Sequence, residues 1–107
     1  MSIYGGSSNW TVAHVLLAMD DIVTSIEDIN TNGANSGQVS IPNTQAATNN
    51  AMDENVRQLE LMLTWSNNGH VNENGINSQP DVAGYSGDKS TYTAAVTLGK
   101  AYIAANS

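Results

Sequence analysis

From Trp10 to Ile29 the chain reads WTVAHVLLAMDDIVTSIEDI. Within it Val12, Val15, Met19, Ile22, Ile26 and Ile29 recur at gaps that alternate between three and four. An α-helix turns by ~100° per residue, so this spacing gathers those side chains into one seam, which Leu16 and Val23 widen into a stripe. Ser8 or Asn9 is placed to cap the start, because a short side-chain oxygen accepts from the unpaired N–H groups of a first turn. Asn32-Gly33 ends the helix, since glycine takes the left-handed conformation that helix ends require.

A helix with one apolar stripe must bury it, and the rest of the sequence supplies further helices. Residues 31–42 read as a loop closing at Pro42. Asn43 or Asn50 caps a second helix, the latter supported by Asp53 three residues on. There Met52, Val56, Leu59 and Leu63 repeat the seam, with Leu61, Met62 and Trp65 adding apolar bulk, until Ser66-Asn67-Asn68-Gly69 stops it. Asp88 or Ser90 starts a last helix whose apolar face holds Tyr92, Ala95, Val96, Leu98, Tyr102 and Ile103. Gly99 weakens that helix by about 1 kcal/mol relative to Ala, while its alanines suit close packing on another helix. The reading is a mainly α protein: one domain, residues 1–107, forming an up-down bundle of about three helices. A Gly/Ser-rich arm, 1–9, precedes it. A long Asn/Gly-rich loop, 67–87, stands before the last helix; a loop of that length is either a functional segment or contains short hairpin strands.

Composition excludes several functions. Ten acids face only Arg57, Lys89 and Lys100, for a formal charge of −7. Three scattered cations do not neutralise a run of phosphates, so nucleic acid is excluded as a partner, and anionic membrane surfaces with it. The longest apolar stretch, Val15 to Met19, is far too short to span a bilayer and ends at Asp20-Asp21. The start, Met1-Ser2-Ile3-Tyr4-Gly5-Gly6, lacks the basic and apolar regions of a signal peptide. The expected compartment is thus cytoplasmic, or external by a route that needs no such peptide. With no cysteine, disulfides, thiolate zinc sites and cysteine nucleophiles are excluded.

Four features invite a functional reading. The first is a repeat: Asn30-Thr31-Asn32-Gly33-Ala34-Asn35-Ser36 is echoed by Asn72-Glu73-Asn74-Gly75-Ile76-Asn77-Ser78. Two polar turns account for it, because Asn bonds its own backbone and Asn-Gly supplies positive φ. The sharper alternative is a calcium-binding module using loops 28–39 and 70–81. Asp28, Asn30, Asn32 and Gly33 match the opening of a calcium loop, yet its twelfth position is Val39, where a bidentate Glu is needed. The second copy begins at His70 and ends at Asp81, so each loop is short of anionic ligands. The second feature is the pair His14 and His70. His14 reads as a partly buried imidazole near Ala18 and Asp21, and His70 as a solvated loop residue. A catalytic base at either, in a small enzyme with its site at an oligomer interface, is the further alternative. The third, Glu54, Arg57 and Glu60, reads as a solvated ion-pair face. The fourth is the pair Trp10 and Trp65, which flank the apolar seams and suit core packing or an interface anchor.

No phosphate-binding glycine loop, serine elbow or paired-carboxylate signature is present. The expectation is therefore a non-enzymatic structural or interaction protein, self-associating or binding another protein through apolar helix faces. Trp10, Met19, Ile22, Ile26 and Trp65 are its expected contacts, and no cofactor is called for beyond the calcium alternative. A homo-oligomer follows, such as a subunit of a secreted, viral or bacterial assembly, because a small chain gains stability by burying those faces between subunits.

Overall fold

The computed structural model describes residues 11–39, 43–65 and 80–107, together with the backbone of 70–72 and 75–77. The arm 1–9, with Ser8 and Asn9, and Trp10 lie outside the described residues, and the cap of the first helix is Thr11 rather than the expected Ser8 or Asn9. Three helices dominate: α1, Val12–Asn32; α2, Gln45–Thr64; and α3, Ser90–Asn106. Each packs against the other two.

The seam of α1 is the spine of the core. Val15, Met19, Ile26 and Ile29 are fully buried, and Ile22 and Val23 nearly so. Thr11 caps the helix: its hydroxyl accepts from His14 N, and its own N–H donates to His14 Nδ1 at 3.1 Å. That pair forms a capping box in which an imidazole replaces the usual carboxylate or amide acceptor. The expected stop at Asn32-Gly33 holds. Gly33 adopts φ 56° and returns its N–H to Ile29 O. The expected loop 31–42 starts later than read, because α1 continues through Asn32 and a 3₁₀ turn covers Gly33–Asn35.

Helix α2 begins one residue after the Asn43 candidate implies and well before the Asn50 candidate. Thr44 is the cap, accepting from Ala47 N at 3.0 Å, whereas Asn43 donates its amide to Ala34 O and Asn50 lies inside the helix. The first turn was hidden because its inward residue is polar: Thr48 is fully buried, its hydroxyl donating to Thr44 O at 2.7 Å. Further on, Met52, Val56, Leu59 and Met62 face the core. Leu63 ends on its margin, since an α-helix drifts relative to a strict seven-residue seam.

Cross-helix contacts fix the directions. Along α3, Tyr92 meets Asp20, Gly99 faces Ile26 and Tyr102 lies beside Gly33, so α3 and α1 run parallel. Asn49 on α2 bonds Asn106 on α3, while Lys100 bonds Glu60, so α2 runs antiparallel to α3. The bundle is therefore up-down-up, with the core in the centre of the three. No helix among the described residues is long and apolar enough to cross a membrane.

The stretch read as the loop 67–87 is partly ordered into a two-stranded antiparallel pair: β1, His70–Asn72, and β2, Gly75–Asn77. His70 stands opposite Asn77, Val71 opposite Ile76, and Asn72 opposite Gly75. Beyond it Pro80 and Val82 are buried, and Val82 enters the core itself. Ala83 N donates to Trp65 O at 2.9 Å, and Lys89 Nζ donates to the carbonyls of Val82 and Ala83. The ammonium thus holds backbone that has no partner in a helix or sheet.

Candidate functional site

The expected calcium ligands lie on a helix. At ~100° per residue, Asp28 and Asn32 share a side of α1 and Asn30 stands nearly opposite, so the three do not converge on one point. A calcium loop depends on extended or turned backbone to aim alternate residues inward. Here Asp28 Oδ1 accepts from Asn32 Nδ2 at 2.6 Å, and Oδ2 accepts from Ser36 Oγ at 2.9 Å. The Ser36 hydroxyl in turn accepts from Gln38 N at 3.1 Å. These bonds, that of Asn32 foremost, hold the Asp28 carboxyl below its ordinary range. Val39, at the position where calcium needs a carboxylate, is buried. The second copy differs entirely. Its backbone forms the β1–β2 pair, and Asp81 accepts from Gly84 N at 2.8 Å. The same residue string thus closes a helix once and builds a strand pair once.

His14 is exposed, and the bonds described for it are those to Thr11 rather than to Asp21. Its exposure corrects the partly buried reading. His70 lies on β1, and its side chain falls outside the described residues. Arg57 bonds Glu54 at 2.8 Å and Asp53 at 3.5 Å along α2, as expected of a solvated face. Glu60 is different: it reaches across to Lys100 on α3 at 2.8 Å.

Of the expected contact residues, the four that are described are spent inside the chain. Met19 and Ile26 are fully buried, Ile22 is 9% exposed and Trp65 6% exposed. A partner could reach Met19, Ile22 or Ile26 only by opening the bundle. Comparison with models of known families, with characterised proteins and with solved structures finds no match.

Among the described residues three large apolar side chains are exposed: Tyr85 at 38%, before α3, and two helical leucines, Leu17 at 64% and Leu61 at 56%. Each leucine lies on its helix opposite the buried stripe, and such single residues are ordinary. The unusual surface is α3. None of the ten acids lies in Ser90–Asn106, and its one charged residue, Lys100, is bound to Glu60. Its outward positions are Ala94, Thr97, Ala101, Ala104 and Ala105, all exposed. Beside them runs an open groove of about 360 Å³ between α2 and α3, lined by Glu60, Leu63, Thr64, Thr93, Val96 and Thr97. The sequence carried one signal for this surface: a helix free of acids in a chain with net charge −7.

Tyr92 ties α3 to α1 at the same end of the bundle as the groove. Its ring is 7% exposed and its hydroxyl donates to Asp20 Oδ1 at 2.8 Å. Burial, then the Asp20 carboxylate, pushes its pKa up to about 12. The unfolded chain releases this proton first, near pH 10, so the link stabilises fully below that pH and fails as pH climbs toward 12. Tyr92→Phe is expected to lower the unfolding free energy by about 1.5 kcal/mol, the low end for a bond to a charged group because exposed Asp20 regains water. The variant should also lose part of the wild-type decline between pH 10 and 12 in urea titrations. An undiminished decline contradicts the assignment.

Proposed function

We propose that this chain is a non-enzymatic structural or interaction protein that associates with copies of itself through the outward side of α3 and the adjoining groove. The carrying observation is the distribution of charge around a closed core. Nine of the ten acids stand on α1, on α2 or in the segment before α3, with Glu73 between β1 and β2, and α3 has none. Two bodies of charge −7 repel at distance, so contact is least costly where each presents neutral surface. Small residues on such a surface let helix axes approach to about 8 Å and add backbone contact to side-chain contact. Leu63 and Val96, half-buried in the groove, supply apolar area at its edge.

This reading replaces the α1 seam with α3 as the contact surface. Sedimentation velocity over a wide concentration range is expected to show discrete oligomers, more populated at moderate salt than at low salt because screening weakens like-charge repulsion. Ala101→Glu places an acid on the neutral side and should shift the distribution toward monomer. Leu17→Glu adds the same charge on the outer side of α1 and should not. A monomer at every concentration and salt, or equal effects of the two substitutions, contradicts the proposal.

A further inference from the structure

Asn-Gly occurs three times in the chain, at Asn32-Gly33, Asn68-Gly69 and Asn74-Gly75. The dipeptide is chemically reactive because glycine leaves its own amide nitrogen open to approach. That nitrogen loses its proton and attacks Cγ of the preceding asparagine. The Cγ–Nδ2 bond breaks, ammonia departs with the proton, and a five-membered imide forms. Water then opens the imide at either carbonyl, giving aspartate or isoaspartate, so that one water is consumed and one ammonia released.

We infer that Asn32-Gly33 is a self-modification site of this kind, held shut by Asp28 and Ile29. Both reacting groups are engaged. The Gly33 N–H donates to Ile29 O, and the departing Asn32 Nδ2 donates to Asp28 Oδ1 at 2.6 Å. Ser36 Oγ fixes the other carboxylate oxygen at 2.9 Å. Asn32 keeps helical backbone, φ −108° and ψ −11°, so ring closure requires the last turn of α1 to open. The Asp28 charge further opposes the anion that forms at the Gly33 nitrogen. The product is unfavourable for the fold: a second carboxylate would stand beside Asp28 at the negative end of the helix dipole. Isoaspartate would also lengthen the backbone immediately before the Gly33 cap. The lock on Asn32 therefore sets how long the end of α1 survives.

The test incubates the whole protein in mildly alkaline buffer, folded or in urea, and follows each Asn-Gly by fragmentation mass spectrometry. In the folded protein Asn32 is expected to convert about tenfold more slowly than in urea, the factor that a modest opening free energy imposes. Asp28→Ala, with helicity unchanged by circular dichroism, should raise the folded rate at Asn32 several-fold and leave Asn68 and Asn74 at their wild-type rates. Ser36→Ala loosens the carboxylate without altering α1 and should give a smaller rise, which keeps the inference open to test even if Asp28→Ala unfolds. Equal rates at Asn32 in folded protein and urea overturn the inference, as does a folded variant of either kind with no rise.

Discussion

Ile26→Ala is expected to remove about 3–4 kcal/mol of unfolding free energy, towards the upper part of the range for deleting a buried aliphatic side chain. Ile26 is fully buried at the centre of α1, and the residue facing it on α3 is Gly99. A glycine offers no side chain that can move into the space left behind, so the cavity stays open and its cost is retained. Small domains hold only about 5–15 kcal/mol in total, so a loss of this size takes away a large share. Leu17→Ala on the same helix removes a similar volume from an exposed position and should change stability by no more than about 0.5 kcal/mol. Urea titrations followed by circular dichroism separate the two, and comparable losses in both variants would refute the placement of the core.

Gly99→Ala is the second large effect, and its sign is the test. Helix propensity alone predicts a gain of about 1 kcal/mol. In the bundle, a β-carbon at this position overlaps Val56 Cγ2, presses on Met52 Sδ at 3.2 Å and meets Ile26 Cγ2 at 3.7 Å. Val56 is branched at its β-carbon and nearly fully buried, so it has little freedom to withdraw. Overpacking costs about 1–3 kcal/mol, and so stiff a neighbour puts this site at about 2–3 kcal/mol, which outweighs the propensity gain and leaves a net loss of about 1–2 kcal/mol. A measured gain would mean that α3 does not approach α1 and α2 this closely. The glycine is thus the point at which side chains of α1 and α2 close on the backbone of α3, rather than a weakness of the last helix.

The contrast at Gly99 shows where the sequence is informative. The α1 seam from Val12 to Ile29 was legible because six aliphatic residues repeat at helical spacing without interruption, and the stop at Asn32-Gly33 was legible because glycine there has a single conformational reason. The start of α2 was narrowed only to Asn43 or Asn50, since Thr48 occupies a core position and satisfies its hydroxyl within the helix. The β1–β2 pair was not, because its string of Asn and Gly also matches the end of α1. The direction in which the seam would be used lay beyond sequence altogether. Met19, Ile22 and Ile26 serve an interior as well as an interface, and only the packing of α2 and α3 over them decides between the two. The candidate surface on α3 was visible as a list of alanines and a missing set of acids, but its meaning depends on the other faces carrying those acids.

A surface assigned by what it lacks invites a direct look at which residues change when copies meet. Backbone amide and side-chain methyl spectra of the folded chain, recorded across a dilution series, report this residue by residue. The account predicts concentration-dependent shifts at Thr93, Ala94, Thr97 and Ala101 and at Leu63 across the groove, with Leu17 and Thr24 on the outer side of α1 unmoved. Shifts centred on α1, or none at any concentration, would contradict it.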